Sequence, residues 1–384
     1  MLLVGAVVLI GACTISYLYE HNPTFRYCTN NLLSYIIEPV QPPGEDTLSV
    51  VRKDKKKPNL HSGTTKKIKP DQFASLDNYA RNTPEKYETD IPDLATYLTI
   101  SAKDDLQKAR LLYTWIASHI KYDDDAYNNN SNVDCSATGV LKNRKAICEG
   151  YCTLFRELGA AMGLQVQKIT GYDKGYNYTV GTHFKETGHA WNLVKLSGQW
   201  RPFDVTWGAG YGDTRNKKLV TTTRFEPYWF NVNPKEFIFT HLPEDDQWQL
   251  TSTNITLAQF ETLPRLDEEF FKLGFNPDEV FKEAVSGKTK DFVETYSPDL
   301  PLKAIRMPYA NNLKKGEPVT VVISSDYAEQ IAVVNKPVWV YFAKKDNQFS
   351  ITYTPLDTTL EIAVKTNSYD KTFSTLAVYH VIQN

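Results

Sequence analysis

Cysteine is scarce in this sequence and unevenly placed. The chain has five in 384 residues, at Cys13, Cys28, Cys135, Cys148 and Cys152. So sparse and odd a set cannot build a disulfide framework in a chain this long, and it suits a stray or reactive thiol better. Charge of one sign is also missing. The formal net charge is -2, so no overall field recruits nucleic acid or an acidic surface. The one basic run, Arg52 to Lys57, reads as a solvated linker. No fixed-period repeat is present. No loop has the acidic spacing and glycine of a calcium site, and Asp123-Asp124-Asp125 reads as a solvated loop. What remains is an ordinary globular composition, 41% hydrophobic and 23% charged, in a chain long enough for two or three domains.

From Met1 to Tyr19 charge is absent altogether, and Leu2 to Cys13 is almost wholly apolar. Spanning a bilayer takes about twenty such residues. A cleaved signal peptide starts with a positive stretch, which is lacking here. Ile10-Gly11-Ala12-Cys13 is similar to a lipobox, in which the cysteine is lipid-modified. The expectation is an apolar signal or membrane anchor over residues 1–20, holding the rest of the chain outside the cytoplasm. Residues 21–72 then read as a flexible linker, since the Pro, Gly, Ser and like charges of Pro39 to Pro70 cannot bury apolar surface.

Order resumes near Phe73. Asp90 to Tyr97 offers a short apolar helix face. Leu106, Ala109, Leu112, Trp115, Ile116 and Ile120 recur at helical spacing, with Ser101 placed to cap them. Asn128 to Asn132 breaks the pattern as a loop. A second helix is expected to begin at or near Cys148, since Tyr151, Cys152, Leu154, Phe155, Leu158, Ala161 and Met162 form one stripe and Gly163 stops it. Strands are expected at Val166–Tyr172, Ala190–Leu196 and Trp200–Thr206, the last two joined by a tight Ser197-Gly198 turn. Thr251 to Ser297 reads as helical and connecting. From Leu300 the texture is β-rich, with runs at Val319–Ser324, Val338–Phe342, Phe349–Thr354, Leu360–Val364 and Leu376–Ile382, the pattern of an antiparallel sandwich.

Three residues carry chemistry together that none carries alone. A lone cysteine is usually buried and inert. Cys148, however, stands where a helix should start, and the unpaired N–H groups there favour an anion, the reactive thiolate form. A lone histidine is usually a satisfied core residue, so His189 is weak evidence by itself. Asp204 sits among Phe203, Val205 and Trp207, and a buried carboxylate needs a partner. If Ser197-Gly198 is a two-residue turn, Leu196 opposes Gln199 and His189 faces Thr206. His189 and Asp204 are then diagonal neighbours on one sheet face. The carboxylate would fix the imidazole tautomer, and the other ring nitrogen would take the thiol proton.

At this point the sequence resembles a family. Ala146-Ile147-Cys148-Glu149-Gly150-Tyr151, Gly171-Tyr172-Asp173-Lys174-Gly175, His189-Ala190-Trp191-Asn192 and Asp204-Val205-Thr206-Trp207-Gly208 resemble the transglutaminase-like superfamily, and within it the kyphoscoliosis peptidase type. Leu112 to Ile116 with Ile120 to Asp123 is similar to the helix before that family's core. His241-Leu242-Pro243 and Trp248-Gln249-Leu250 are similar to its downstream segment. The resemblance implies an α+β fold, with a papain-like, transglutaminase-like catalytic domain at 73–264. A connecting segment at 265–299 and an Ig-like antiparallel β-sandwich at 300–384 would follow. It implies a Cys148, His189, Asp204 triad acting on a protein or peptide substrate; no cofactor and no metal are expected, since no calcium loop is visible. The Cys148 backbone N–H is one candidate oxyanion donor; the sequence does not locate the second, for which a side chain from Tyr122 to Asn132 is one candidate.

The expected activity is thiol-dependent acyl transfer on protein amides, hydrolysis first and cross-linking second. Two other readings compete. Zinc held by Cys135, Cys148 and Cys152 with His183 or His189 leaves Asp204 unexplained. A catalytically inactive, membrane-tethered scaffold suits the anchor and the sandwich, whose role would be to bind a protein partner.

Overall fold

Two aspartates decide where the first long helices start. Asp90 and Asp104 accept from the backbone N–H groups of Asp93 and Gln107, each at 2.8 Å, so each satisfies an orphan donor of a first turn. They open α2 (Ile91–Ile100) and α3 (Asp105–His119), which follow α1 (Ala74–Arg81). The computed structural model describes residues 50–51, 72–176, 178–296, 300–335, 338–366 and 372–383. The expected anchor and nearly all of the expected linker lie outside them. Ser101, expected as a helix cap, instead closes α2, because Asp104 supplies the better acceptor for α3.

A buried ion pair fastens α1 to α3. Asp77 takes two 2.7 Å bonds from Arg110 and a third, at 2.8 Å, from Thr114. The guanidinium lies under the rings of Phe73, Phe225 and Phe230. Removing one partner strands a charge in the core. Asp77→Ala should therefore cost about 3–5 kcal/mol, read as a fall in the urea midpoint without loss of the slope.

The chain next builds the support for Cys148. Strand β1 (Lys121–Tyr122) pairs in parallel with β2 (Lys145–Ala146). Between them lie α4 (Asp124–Asn129) and α5 (Ala137–Asn143). The Asp123-Asp124-Asp125 run is therefore not a solvated loop, and Asn128 and Asn129 are not in one. Asp123 caps α4 at Ala126 N, and Asp124 accepts from Thr221 N at 2.9 Å. Asn128 brackets Leu219, donating to its carbonyl and accepting from its N–H. Asp124 and Asn128 thus bond the hairpin of β6 (Gly210–Arg215) and β7 (Lys218–Thr223). Directly after β2, α6 runs Cys148–Ala161. It begins where expected, and Gly163 beyond its end has the positive φ of a helix stop.

The core sheet is antiparallel, in the order β5 (Gln199–Phe203), β4 (His189–Leu196), β3 (Val166–Asp173), β8 (His241–Pro243). Ser197 and Gly198 both have positive φ, as a two-residue hairpin turn demands. Leu196 opposes Gln199 and Asn192 opposes Phe203, which is the expected register. The expected strand is too long, however. It stops at Phe203, and the chain turns into the single helical turn α7 (Val205–Gly208), capped by Asp204 through Trp207 N at 2.9 Å. Gly208 is required by that turn, since a Cβ there would lie 2.0 Å from Tyr113 Oη.

Three short helices, Leu257–Thr262, Glu268–Lys272 and Pro277–Val285, make up the connecting stretch. The C-terminal region is a pair of sheets. One runs in the order Lys303–Arg306, Val319–Ser324, Gln348–Tyr353, Ala343–Lys345; the other is built on Phe373–Ile382, Thr359–Lys365, Gln330–Asn335 and Val338–Tyr341. Val321, Ile323 and Phe349 of the first share a core with Ile331, Ile362, Leu376 and Tyr379 of the second. The pairing is antiparallel except at the last strand, where Asn312–Lys314 and Val50–Val51 add in parallel. The fold is α+β, a transglutaminase-like core followed by this sheet region. The same buried cluster takes in Ile238, Phe239, Phe260 and Phe270, so the connecting helices and the sandwich share apolar packing.

Candidate active site

Each expected residue is delivered by a different local device. Cys148 is the first residue of α6, and no side chain caps that helix start. Asn192, fully buried on β4, donates to the Cys152 carbonyl at 3.1 Å and so ties α6 to the sheet. His189 is the first residue of β4, opposite Gly171. Asp204 is the cap of α7. The structure brings all three together. His189 Nε2 lies 2.7 Å from Asp204 Oδ2, and the Cys148 thiol is within hydrogen-bonding reach of the same ring. With Nε2 given to Asp204, Nδ1 is the nitrogen left for the thiol. The pair forms through the cap position, not through the diagonal ladder contact expected from the hairpin.

Cys148 and His189 line a cleft of about 530 Å³, walled by Tyr122, Tyr127, Tyr176, Tyr211 and Trp207. Cys148 is half-buried, while Asp204 behind the histidine is fully buried. Residues 92–205 match the family model of the transglutaminase-like superfamily. Residues 92–205 carry a transglutaminase-like domain. Over 233 residues the chain is 34% identical to the kyphoscoliosis peptidase of Homo sapiens, covering 60% of this chain and 35% of that one. The Mus musculus kyphoscoliosis peptidase is 33% identical over 232 residues, 59% of this chain and 34% of that one. Hillarin of Drosophila melanogaster is 28% identical over 221 residues, 54% and 26% of the two chains. The chain thus spans about a third of the length of the kyphoscoliosis peptidases it matches.

Electrostatics in the transglutaminase-like domain favour an imidazolium at His189. Burial alone would lower its pKa, but the charge of Asp204, the hydrogen bond to it and the bond to Cys148 outweigh burial and hold it well above the ordinary histidine range. Burial likewise pushes Asp204 up, and the charge and hydrogen bonds of His189 and His241 hold it well below the carboxylate range instead. Cys152 is the contrasting thiol. It is fully buried on the core face of α6, and burial, then Cys148, pushes its pKa well up. Burial and Glu149 push Cys135 up as well.

Among the described residues Cys135, Cys148 and Cys152 do not gather as a zinc site. Among the described residues the one cluster with metal-ligating geometry is His189, Asp204 and His241, whose ligand atoms lie within 4.8 Å of one another. Their facing atoms already bond one another, so holding an ion there would strip both rings of a proton. His183, weighed as a ligand, is 86% exposed in its side chain and pairs with Glu261 at 2.8 Å. His241 is the residue that sequence reasoning missed. Its segment resembles only a downstream stretch of the family, and it lies beyond the matched residues 92–205. The available signal was Asp204 itself, a buried carboxylate with more acceptor sites than one histidine fills.

Proposed function

We propose that this chain is a thiol-dependent acyl transferase acting on protein amides, with Cys148 as nucleophile, His189 as base and then acid, and Asp204 as the group that orients His189. The observation that supports it is the contact chain Cys148–His189–Asp204 at the wall of an open cleft. In this reading the thiol proton already sits on His189 Nδ1, as the raised His189 pKa favours, and the Cys148 thiolate attacks the amide carbonyl carbon. The C–N bond breaks, His189 returns the proton to the leaving amine, and a thioester remains. Water, deprotonated by His189, then attacks the thioester and releases the acid and the free thiol. The name of the human relative, a peptidase, supports hydrolysis as the first choice.

The oxyanion would be held by the Cys148 backbone N–H and the Tyr122 phenol. Tyr122 lines the cleft and its ring stacks on Tyr151, one turn along α6 from Cys148. Burial, then Cys148, pushes that phenol well up, so it stays a donor. Tyr122→Phe should cost about 100-fold in kcat and leave probe labelling of Cys148 unchanged. An unaltered kcat removes Tyr122 from the mechanism.

Cross-linking is the second reading, and one observation favours it. The acidic residues among the described lining of the cleft are Asp173 and Glu186, with no Lys or Arg, a surface suited to an incoming amine. Incubation with a mixed protein substrate and a labelled primary amine separates the two. New N-termini without amine incorporation support hydrolysis; Cys148-dependent incorporation without cleavage supports transfer to amines.

The proposal extends to the ends of the chain. The apolar start would tether the protein to a membrane through the linker, outside the cytoplasm, and the sandwich would bind a protein partner. No helix among the described residues is long and apolar enough to cross a membrane. Recovery of the full-length protein in the soluble cytosolic fraction would sink the tether.

A further inference from the structure

We propose that His241 is a positioning residue for this site, locking the Asp204 carboxylate through an Nε2–H tautomer that the Thr240 hydroxyl supports by donating to Nδ1. The inference rests on the acyl-transfer reading above and adds a fourth residue to it. His241 belongs to β8, which pairs with the end of β3. Its ring is fully buried, stacked on Phe237 at 3.9 Å between centroids, with Trp207 at 4.4 Å. Nε2 is 3.0 Å from Asp204 Oδ2 and Nδ1 is 2.8 Å from Thr240 Oγ1.

The charged groups that act on this ring are Asp204, His189 and Asp173. Burial lowers its pKa most, the charge of His189 lowers it further, and the two carboxylates do not compensate. The ring is therefore neutral and carries one N–H. A lone pair at Nε2 would face the lone pairs of a carboxylate, so the proton belongs on Nε2. Nδ1 is then an acceptor, and the Thr240 hydroxyl must donate to it instead of to its other acceptor, the Phe237 carbonyl at 3.2 Å.

The consequence falls on Asp204. Oδ2 receives His189 and His241, and Oδ1 receives Trp207 N–H. Three donors on two oxygens leave the carboxylate no freedom to turn. A neutral donor holds it without cancelling the charge that stabilises the His189 imidazolium.

The test uses the full chain and iodoacetamide. The alkylation rate of Cys148 is measured against pH in His241→Leu and His241→Gln, each in the wild-type and the Asp204→Asn background. His241→Leu should slow alkylation at neutral pH about 10-fold, the scale of one hydrogen bond to a charged group. His241→Gln, which keeps an N–H, should restore most of the rate, and Leu should have no further effect once Asp204 is Asn. The proposal is overturned if the Leu effect is undiminished in Asp204→Asn, or if a folded Gln variant is no better than Leu. Should His241→Leu not fold, Thr240→Val replaces it in the same cycle. The downfield N–H proton resonance of His189 gives a reading independent of thiol reactivity. It should persist in His241→Gln and broaden in His241→Leu. If that contrast holds while wild-type Cys148 reacts no faster than a free thiol, acyl transfer fails and the positioning role stands.

Discussion

Cys148→Ala is expected to abolish covalent probe labelling in the cleft and to lower kcat on the order of 10⁶-fold, the scale seen when a triad loses its nucleophile. No neighbouring thiol is placed to substitute. Cys152 is fully buried one turn along α6, with its thiol pushed up by burial. Cys135 is pushed up by burial and Glu149, and it does not line the cleft. Cys152→Ala should accordingly leave activity largely intact and cost only packing. Equal losses in the Cys148 and Cys152 variants would mean that the site had been assigned to the wrong sulfur.

Asp204→Asn is expected to keep the fold and lower turnover on the order of 10⁴-fold, as tautomer loss does in a serine triad. The hydrogen-bond pattern gives the reason. Oδ1 accepts from Trp207 N, and Oδ2 accepts from His189 and His241. If the amide nitrogen avoids Trp207 N–H, it faces His189 Nε2 and donates to it. The His189 proton then moves to Nδ1, the nitrogen that should accept from Cys148. The pH profile should change as well. The Asp204 charge raises His189 against its own burial, and His189 must be protonated to release the leaving amine. Removing that charge should draw the alkaline limb of kcat down toward pH about 6.5 or below. Activity within about 10-fold of wild type, with an unmoved limb, would reduce Asp204 to a helix cap; 10⁴-fold is the loss that separates the roles.

Local signals in the sequence carried most of the core, and contacts distant along the chain were the ones it hid. The start of α6 at Cys148 followed from its apolar stripe, and the β4–β5 register followed from Ser197-Gly198. The strand expected over Trp200–Thr206 runs past the real end at Phe203 because alternation from Phe203 to Trp207 looks the same for a strand and for a capped turn. What decides between them is Trp207 N meeting Asp204 Oδ1. The acidic run at Asp123 to Asp125 looked solvated because its acceptor work is done for Thr221, 97 positions beyond Asp124. His241 was hidden in the same way, 37 positions from Asp204, where neither periodicity nor turn chemistry reaches. In the C-terminal region the strand expected over Val319–Ser324 has those bounds in the structure. Gln330–Asn335 was not singled out, although it pairs with both Thr359–Lys365 and Val338–Tyr341.

The central claim is that Cys148 is an activated nucleophile dependent on His189. The most direct measurement is the rate of iodoacetamide alkylation at each described cysteine at neutral pH, resolved by peptide mass spectrometry, in the wild type and in His189→Ala. Cys148 should react far faster than Cys135 and Cys152, and His189→Ala should remove that advantage while the protein stays folded. A Cys148 that reacts no faster than Cys135, or whose rate is untouched by loss of His189, would contradict the account.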